Sequence, residues 1–159
     1  MDRAQVGLQH FERGRELYEM TEFAAAAEQY EAAWQIWGIE FKDRPDLLAN
    51  RAELLMNWAG TLDSQGHYVE AAWKYEAAWQ IWGIDLKDRP ELHADRAKLL
   101  MNWAITLYSQ GHYVEAAGKY HATWQIWGID LKDCLELQAV RASLLMNWAN
   151  TLLDRKSVV

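Results

Sequence analysis

The sequence predicts an all-α solenoid of stacked antiparallel helix pairs, about seven helices in all, and three observations predict it. First, one stretch occurs three times almost unchanged: AAWQIWGI at 32–39, AAWQIWGI at 77–84 and ATWQIWGI at 122–129. Second, the block LLMNWA returns at the same interval, carrying Trp58, Trp103 and Trp148. Self-similarity at a fixed period, here about 45 residues, marks a repeat architecture in which each unit buries its apolar face against its neighbours. Third, apolar residues recur at spacings of three and four between these blocks, as one face of an α-helix requires.

The chain has 159 residues, enough for a single repeat domain over 1–159 with a sizeable core. It is 51% hydrophobic and 25% charged, a globular balance. The net charge of −7 opposes nucleic-acid or anionic-membrane binding, since both need a basic patch, and favours basic or neutral partners. Cys134 is the one cysteine, so no intrachain disulfide can form, which fits a reducing compartment. No apolar run reaches the ~18 residues of a membrane span. The charged start MDRAQVGLQHFERGRELYE is unlike a secretory signal. The expectation is a soluble cytoplasmic protein.

Residues 2–19 read as a first helix, with Val6, Leu8, Phe11 and Leu17 as apolar positions. Thr21-Glu22 is a turn in which Thr21 can cap the next helix. That helix places Phe23, Ala26, Ala27, Tyr30, Ala33, Trp34 and Trp37 on one face. Gly38 is expected to end it in a left-handed conformation, with Ile39 folding back onto the last turn. The second unit starts at Lys42-Asp43-Arg44-Pro45-Asp46. There Asp43 reads as an N-cap, Pro45 as a first-turn residue and Asp46 as a capping-box partner. Its leading helix runs to about Ser64 with Leu48, Ala52, Leu55, Trp58, Ala59 and Leu62 as the buried stripe. Gln65-Gly66-His67 turns, and Tyr68, Ala71, Ala72, Tyr75, Ala78, Trp79 and Trp82 line the partner helix up to Gly83. The third unit copies this from Asp88 and Glu91 through Ser109, Gly111 and Tyr113 to Trp127. A last helix starts near Asp133–Glu136 and carries Leu144, Leu145 and Trp148. The repeat units are thus 2–45, 46–90 and 91–135, with a terminal helix at 136–155 that either covers the stack or belongs to a longer array. Units 46–90 and 91–135 agree at roughly three positions in four, which points to recent duplication or deliberate design.

NWAxTLxxQGHYxEAAxKYxxAW, at 57–79 and with small changes at 102–124, resembles the tetratricopeptide repeat. Ala59 and Ala104 take the place where the two helices cross closely. Gly66 with Tyr68, and Gly111 with Tyr113, follow; then come Ala71 and Ala116, Tyr75 and Tyr120, Ala78 and Thr123. In the first unit Gly14, Phe23, Ala26, Tyr30 and Ala33 match. The resemblance implies a right-handed superhelix of helix pairs with a concave peptide-binding groove. The chain departs from it in two respects. Its period is longer than the family's ~34 residues, and Gly38, Gly83 and Gly128 replace the proline after the second helix. The extra residues, such as IDLKDRPELHA at 84–94, are expected to lengthen the leading helix at its N-terminal end.

The chain has no phosphate loop, HExxH, paired cysteines or nucleophile elbow, so a non-enzyme without cofactor or metal is expected. His67 and His112 read as capping or solvent groups. The tryptophan pairs Trp34/Trp37, Trp79/Trp82 and Trp124/Trp127 read as packing between repeats rather than as cation–π cages. Trp73 lies off the stripe and is the candidate exposed aromatic, either at a contact surface or there by accident. Arg51, Arg96 and Arg141 are expected to pair with carboxylates near the helix starts. The candidate binding row is Asn57, Asn102 and Asn147, each after a methionine: Met56, Met101 and Met146. The resemblance places them on the groove face, where an amide can match a peptide's own donor and acceptor and methionine gives an adaptable floor. The other reading is that the amides merely link repeats. Around this row the residues vary: Glu53, Gly60 and Asp63 become Lys98, Ile105 and Tyr108, then Ser143, Asn150 and Leu153. The leading expectation is a scaffold for an extended peptide of a partner protein. The second is self-association into homo-oligomers through near-identical repeat faces.

Overall fold

Three helix pairs and a further helix make up the computed structural model, which describes residues 2–134 and 137–157. The chain divides into two compact units, Met1–Asp85 and Leu86–Val159. The first holds α1 (Arg3–Glu19), α2 (Phe23–Trp34), α3 (Leu48–Ser64) and α4 (Tyr68–Trp79); α2 packs on α1 and α3, and α3 on α4. The second holds α5 (His93–Ser109), α6 (Tyr113–Trp124) and α7 (Gln138–Ser157), with α6 between the other two. No strand occurs among the described residues. The all-α helix-pair architecture is the one that the repeat pattern predicts.

Each pair turns through one left-handed residue: Thr21 (φ 60°), Gly66 (79°) and Gly111 (80°). The bonding around all three is alike. Gly66 N–H donates to the Asp63 carbonyl at 2.9 Å and His67 N–H to the Leu62 carbonyl at 2.8 Å, which satisfies carbonyls left open at the helix end. Thr21 therefore closes α1 rather than capping α2. Its hydroxyl bonds the Met20 carbonyl at 2.6 Å, and α2 begins after Glu22 with no side-chain cap.

The second helix of each pair does not stop at its glycine. It runs on as a wider π-helical turn over Gln35–Glu40, Gln80–Asp85 and Gln125–Asp130. None of Gly38, Gly83 and Gly128 has a positive φ. What these positions need is space: a Cβ on any of them would stand 2.3 Å from the indole of Trp34, Trp79 or Trp124, four residues back. Ile39 does not fold back but lies exposed.

The ends of these π-turns explain the arginines. Arg51 is buried on α3; its Nε donates to the Trp37 carbonyl at 2.6 Å, and its Nη2 donates to the carbonyls of Phe41 and, at 3.1 Å, Arg44. Arg141 repeats this on Trp127 (2.6 Å) and Leu131, and Arg96 donates to the Leu86 carbonyl. At Arg51 capping of backbone carbonyls thus takes the place of the expected carboxylate ion pair, and a planar multi-donor group is well shaped for it. Burial pulls the Arg51 pKa down, while Asp43 and Asp46 nearby oppose the shift.

The leading helices also start differently from expectation. Pro45–Leu47 and Pro90–Leu92 form single 3₁₀ turns ahead of α3 and α5, with proline at the first position. Asp43 does not cap α3, and the Asp46 carboxylate accepts from Arg44 at 2.6 Å. Of residues 84–94 only His93 and Ala94 belong to α5, so the long period is absorbed by the π-turn and the linker more than by the leading helix. The expected start of the last helix reaches Glu136, outside the described residues; α7 itself begins at Gln138.

In the first unit Phe11, Leu17, Tyr30, Ile36, Trp37 and Leu54 share one core cluster. Trp37 is 2% exposed and donates its Nε1–H to the Ala4 carbonyl at 3.1 Å. Only glycine at position 7 permits this, since a Cβ there would stand 2.4 Å from Nε1. In the second unit Ala97 stands at the corresponding position, and the buried Trp127 Nε1 has no acceptor among the described residues. Of each tryptophan pair, then, only the second member (Trp37, Trp82, Trp127) is buried. Trp34, Trp79 and Trp124 lie half-buried across their glycines.

Candidate functional site

On α3, spacings of three and four bring Glu53, Met56, Asn57, Gly60 and Asp63 to one side of the helix. Met56 and Asn57 are half-buried and Glu53 is exposed. In the second unit α5 presents Met101, Asn102 and Ile105 half-buried and Lys98 exposed. On α7 Asn147 is half-buried, while Met146, Asn150 and Leu153 are exposed. The asparagine is thus partly sheltered on all three helices, whereas its methionine is sheltered on α3 and α5 but exposed on α7. Thr61 and Thr151 donate their hydroxyls to the backbone carbonyls of Asn57 and Asn147, at 3.0 and 2.8 Å. Those bonds involve the main chain, not the amide side chains.

Tyr108 has a structural engagement. Its hydroxyl donates to the Asp154 carboxylate of α7, and its ring lies 5.3 Å from that of Tyr113. The bond to Asp154 raises its pKa, with smaller contributions from burial and from the same carboxylate's charge.

Two indole faces outside the tryptophan pairs, Trp58 and Trp103, are taken by the chain's own cations. Lys74 Nζ stands 4.0 Å from the Trp58 ring centre, and Lys119 stands 3.9 Å from that of Trp103. Trp148 instead stands perpendicular to His121, with ring centres 5.5 Å apart. His67 and His112 precede α4 and α6, are exposed and make no side-chain cap. Trp73 is 65% exposed on α4, one turn from the exposed Val69.

The first unit adds an acidic stretch that the repeat pattern does not single out. Glu12 occupies the repeat position of Asn57, and with Arg15, Glu16 and Glu19 it lines an open depression of about 240 Å³ on α1. The three-and-four spacing of these glutamates is plain in the sequence, but only alignment of the divergent first unit with the others puts them on the asparagine face. Among the described residues no cluster of His, Cys, Asp and Glu could hold a metal ion, and no helix is long and apolar enough to cross a membrane.

Helix pairs with a close glycine- or alanine-bearing crossing, repeated with an offset, define a tetratricopeptide-like fold. The comparison with solved structures agrees. The chain is similar to the type III secretion chaperone SycD of Yersinia enterocolitica, in complex with a peptide of the translocator YopD, at TM-score 0.68 and 12% identity over 92% of each chain. It is also similar to the Sgt2 TPR domain of Aspergillus fumigatus, at TM-score 0.64 and 16% identity over 96% of this chain and 80% of that one. No protein-family profile and no curated protein matches the chain by sequence.

Proposed function

We propose that the chain is a non-catalytic protein-interaction scaffold that binds an extended segment of a partner protein along the asparagine-bearing face of its leading helices. The observation that carries this reading is the Met-Asn dipeptide, constant at 56–57, 101–102 and 146–147 on a helix face whose other positions, 53, 60 and 63 and their equivalents, change from unit to unit. A peptide backbone offers alternating donors and acceptors, and a row of amides can pair with both. Met56 and Met101 supply an apolar floor that adapts to different side chains. Glu53, Lys98, Ile105, Tyr108 and Asn150 would then select among segments. SycD, of similar fold, was solved with a bound peptide, which supports the reading.

The test begins with capture of partners on the immobilised full chain and identification of the bound segment. A synthetic peptide of that segment is then titrated into the wild type and into the Asn57→Ala/Asn102→Ala variant. Binding at least about tenfold weaker, or 1.4 kcal/mol, with an unchanged melting temperature is expected. Equal affinity for both proteins would refute the assignment.

A further inference from the structure

The middle of α4 holds an indole in solvent. Trp73 is 65% exposed, and Val69, one turn before it, is 53% exposed. At the same repeat position α2 has Glu28 and α6 has Gly118, so the helix-pair packing does not call for a tryptophan here. Glu70 and Glu76 stand three residues to either side of Trp73, the spacing at which side chains on a helix surface are neighbours. Both are exposed, and neither forms an ion pair among the described residues. The one basic residue of α4, Lys74, is engaged elsewhere, its Nζ 4.0 Å from the centre of the Trp58 ring. A bare indole face thus lies between two carboxylates that nothing neutralises, on a chain of net charge −7.

The chain itself shows what such groups attract. Arg44 stands over the Phe41 ring, with Cζ 5.0 Å from its centre, while its guanidinium donates to the Asp46 carboxylate at 3.1 and 2.6 Å. One guanidinium is held there by a ring face and a carboxylate together. Lys74 and Lys119 likewise cover the rings of Trp58 and Trp103. Indole is the aromatic face that holds a cation best, and arginine is the more frequent partner, because its planar group stacks on the ring and still donates from its edge. Trp73 with Glu70 and Glu76 offers what Arg44 has, with a better ring and one carboxylate more. Among the described residues no cation lies over it.

We propose that Trp73, Glu70 and Glu76 form a docking site for an arginine side chain on a basic segment of a partner protein, with Val69 and Ala77 in contact with the residues beside that arginine. The site is on the second helix of its pair, whereas the asparagine row is on the leading helices, and it stands independently of that row. An acidic segment would meet two charges of its own sign, and an apolar one would cover the carboxylates without pairing them. A second copy is disfavoured as the occupant because both molecules carry the same net charge.

The probe is a fluorescent peptide of alternating arginine and alanine, titrated into the full chain beside peptides with lysine or glutamate in place of arginine. Saturable binding of the arginine peptide is expected, with weaker binding of the lysine peptide and none of the glutamate peptide. The indole N–H resonance that Trp73→Ala removes should be the one that shifts most on binding. Trp73→Ala should weaken binding at least about tenfold, and so should Glu70→Gln/Glu76→Gln; all three positions are exposed, so the fold tolerates the changes. Glu53→Gln, which removes a carboxylate from the asparagine face, should leave the affinity unchanged. Absent binding, equal affinity for the lysine peptide, or equal losses in Trp73→Ala and Glu53→Gln would overturn the proposal. So would light scattering that shows a dimer of the wild type dispersed by Trp73→Ala, since the occupant would then be a second copy.

Discussion

Two helical glycines of this chain should respond in opposite ways to the same substitution. Gly118 lies exposed on α6, and a methyl group added there would meet nothing within 4 Å, so Gly118→Ala should stabilise by about 0.5–1 kcal/mol through helix propensity. Gly38 lies under the Trp34 indole, so Gly38→Ala should destabilise by about 1–3 kcal/mol as the ring is forced aside. Urea midpoints of the two variants measure both signs; equal signs would contradict the packing described. Arg51→Met leaves the Trp37, Phe41 and Arg44 carbonyls without their buried donor and should cost about 3 kcal/mol by the same measurement. At this scale the sequence was only partly legible. A glycine after WQIW announces a special demand, yet it cannot say whether the demand is for a backbone angle or for room. A recurring arginine likewise does not show that its partners are carbonyls, because every residue type supplies those.

The elements themselves were easier to read. The helices follow from the three-and-four spacing of residues such as Ala71, Tyr75 and Ala78, and the turns at Gly66 and Gly111 from the left-handed conformation glycine favours. At Thr21-Glu22 the turn was legible but its left-handed residue was not, since threonine suggests a cap. Thr21→Gly should therefore stabilise by about 1 kcal/mol in thermal unfolding, by relieving a conformation that a β-branched residue resists. The π-turns were hidden too, because an i,i+4 pattern persists through Trp34 and Gly38 whether or not the helix widens. The second helices are further tied to the next leading helix through Tyr30 with Thr61 and Tyr120 with Thr151. Burial pushes both tyrosines up to about 12, against about 10 unfolded. Their contribution is thus fully present below pH ~10 and is lost as the pH rises towards ~12, because the unfolded chain releases those protons first. Urea midpoints at pH ~9 and ~11 should show this loss, and the Tyr30→Phe/Tyr120→Phe variant should show much less of it.

At the scale of the whole molecule, the repeat fold was the most legible property, because three copies of WQIWGI fix the period before any helix is assigned. The candidate site was legible only as a pattern. Met-Asn stays constant while Glu53, Lys98 and Ser143 change at one repeat position, and Tyr108 shows how such a residue can be drawn into a structural bond with Asp154 instead. The acidic stretch Glu12, Glu16 and Glu19 joins the asparagine face only when the divergent first unit is aligned with the others. The central claim is that the amides of Asn57, Asn102 and Asn147 serve a partner rather than the fold. Its most direct measurement is the melting temperature of the variant in which all three become alanine. Alanine is the better helix former, so an unchanged or slightly higher value is expected. A fall of about 5 °C or more, equivalent to over 1 kcal/mol in a chain of this size, would show that the amides hold the repeats together and would contradict the account.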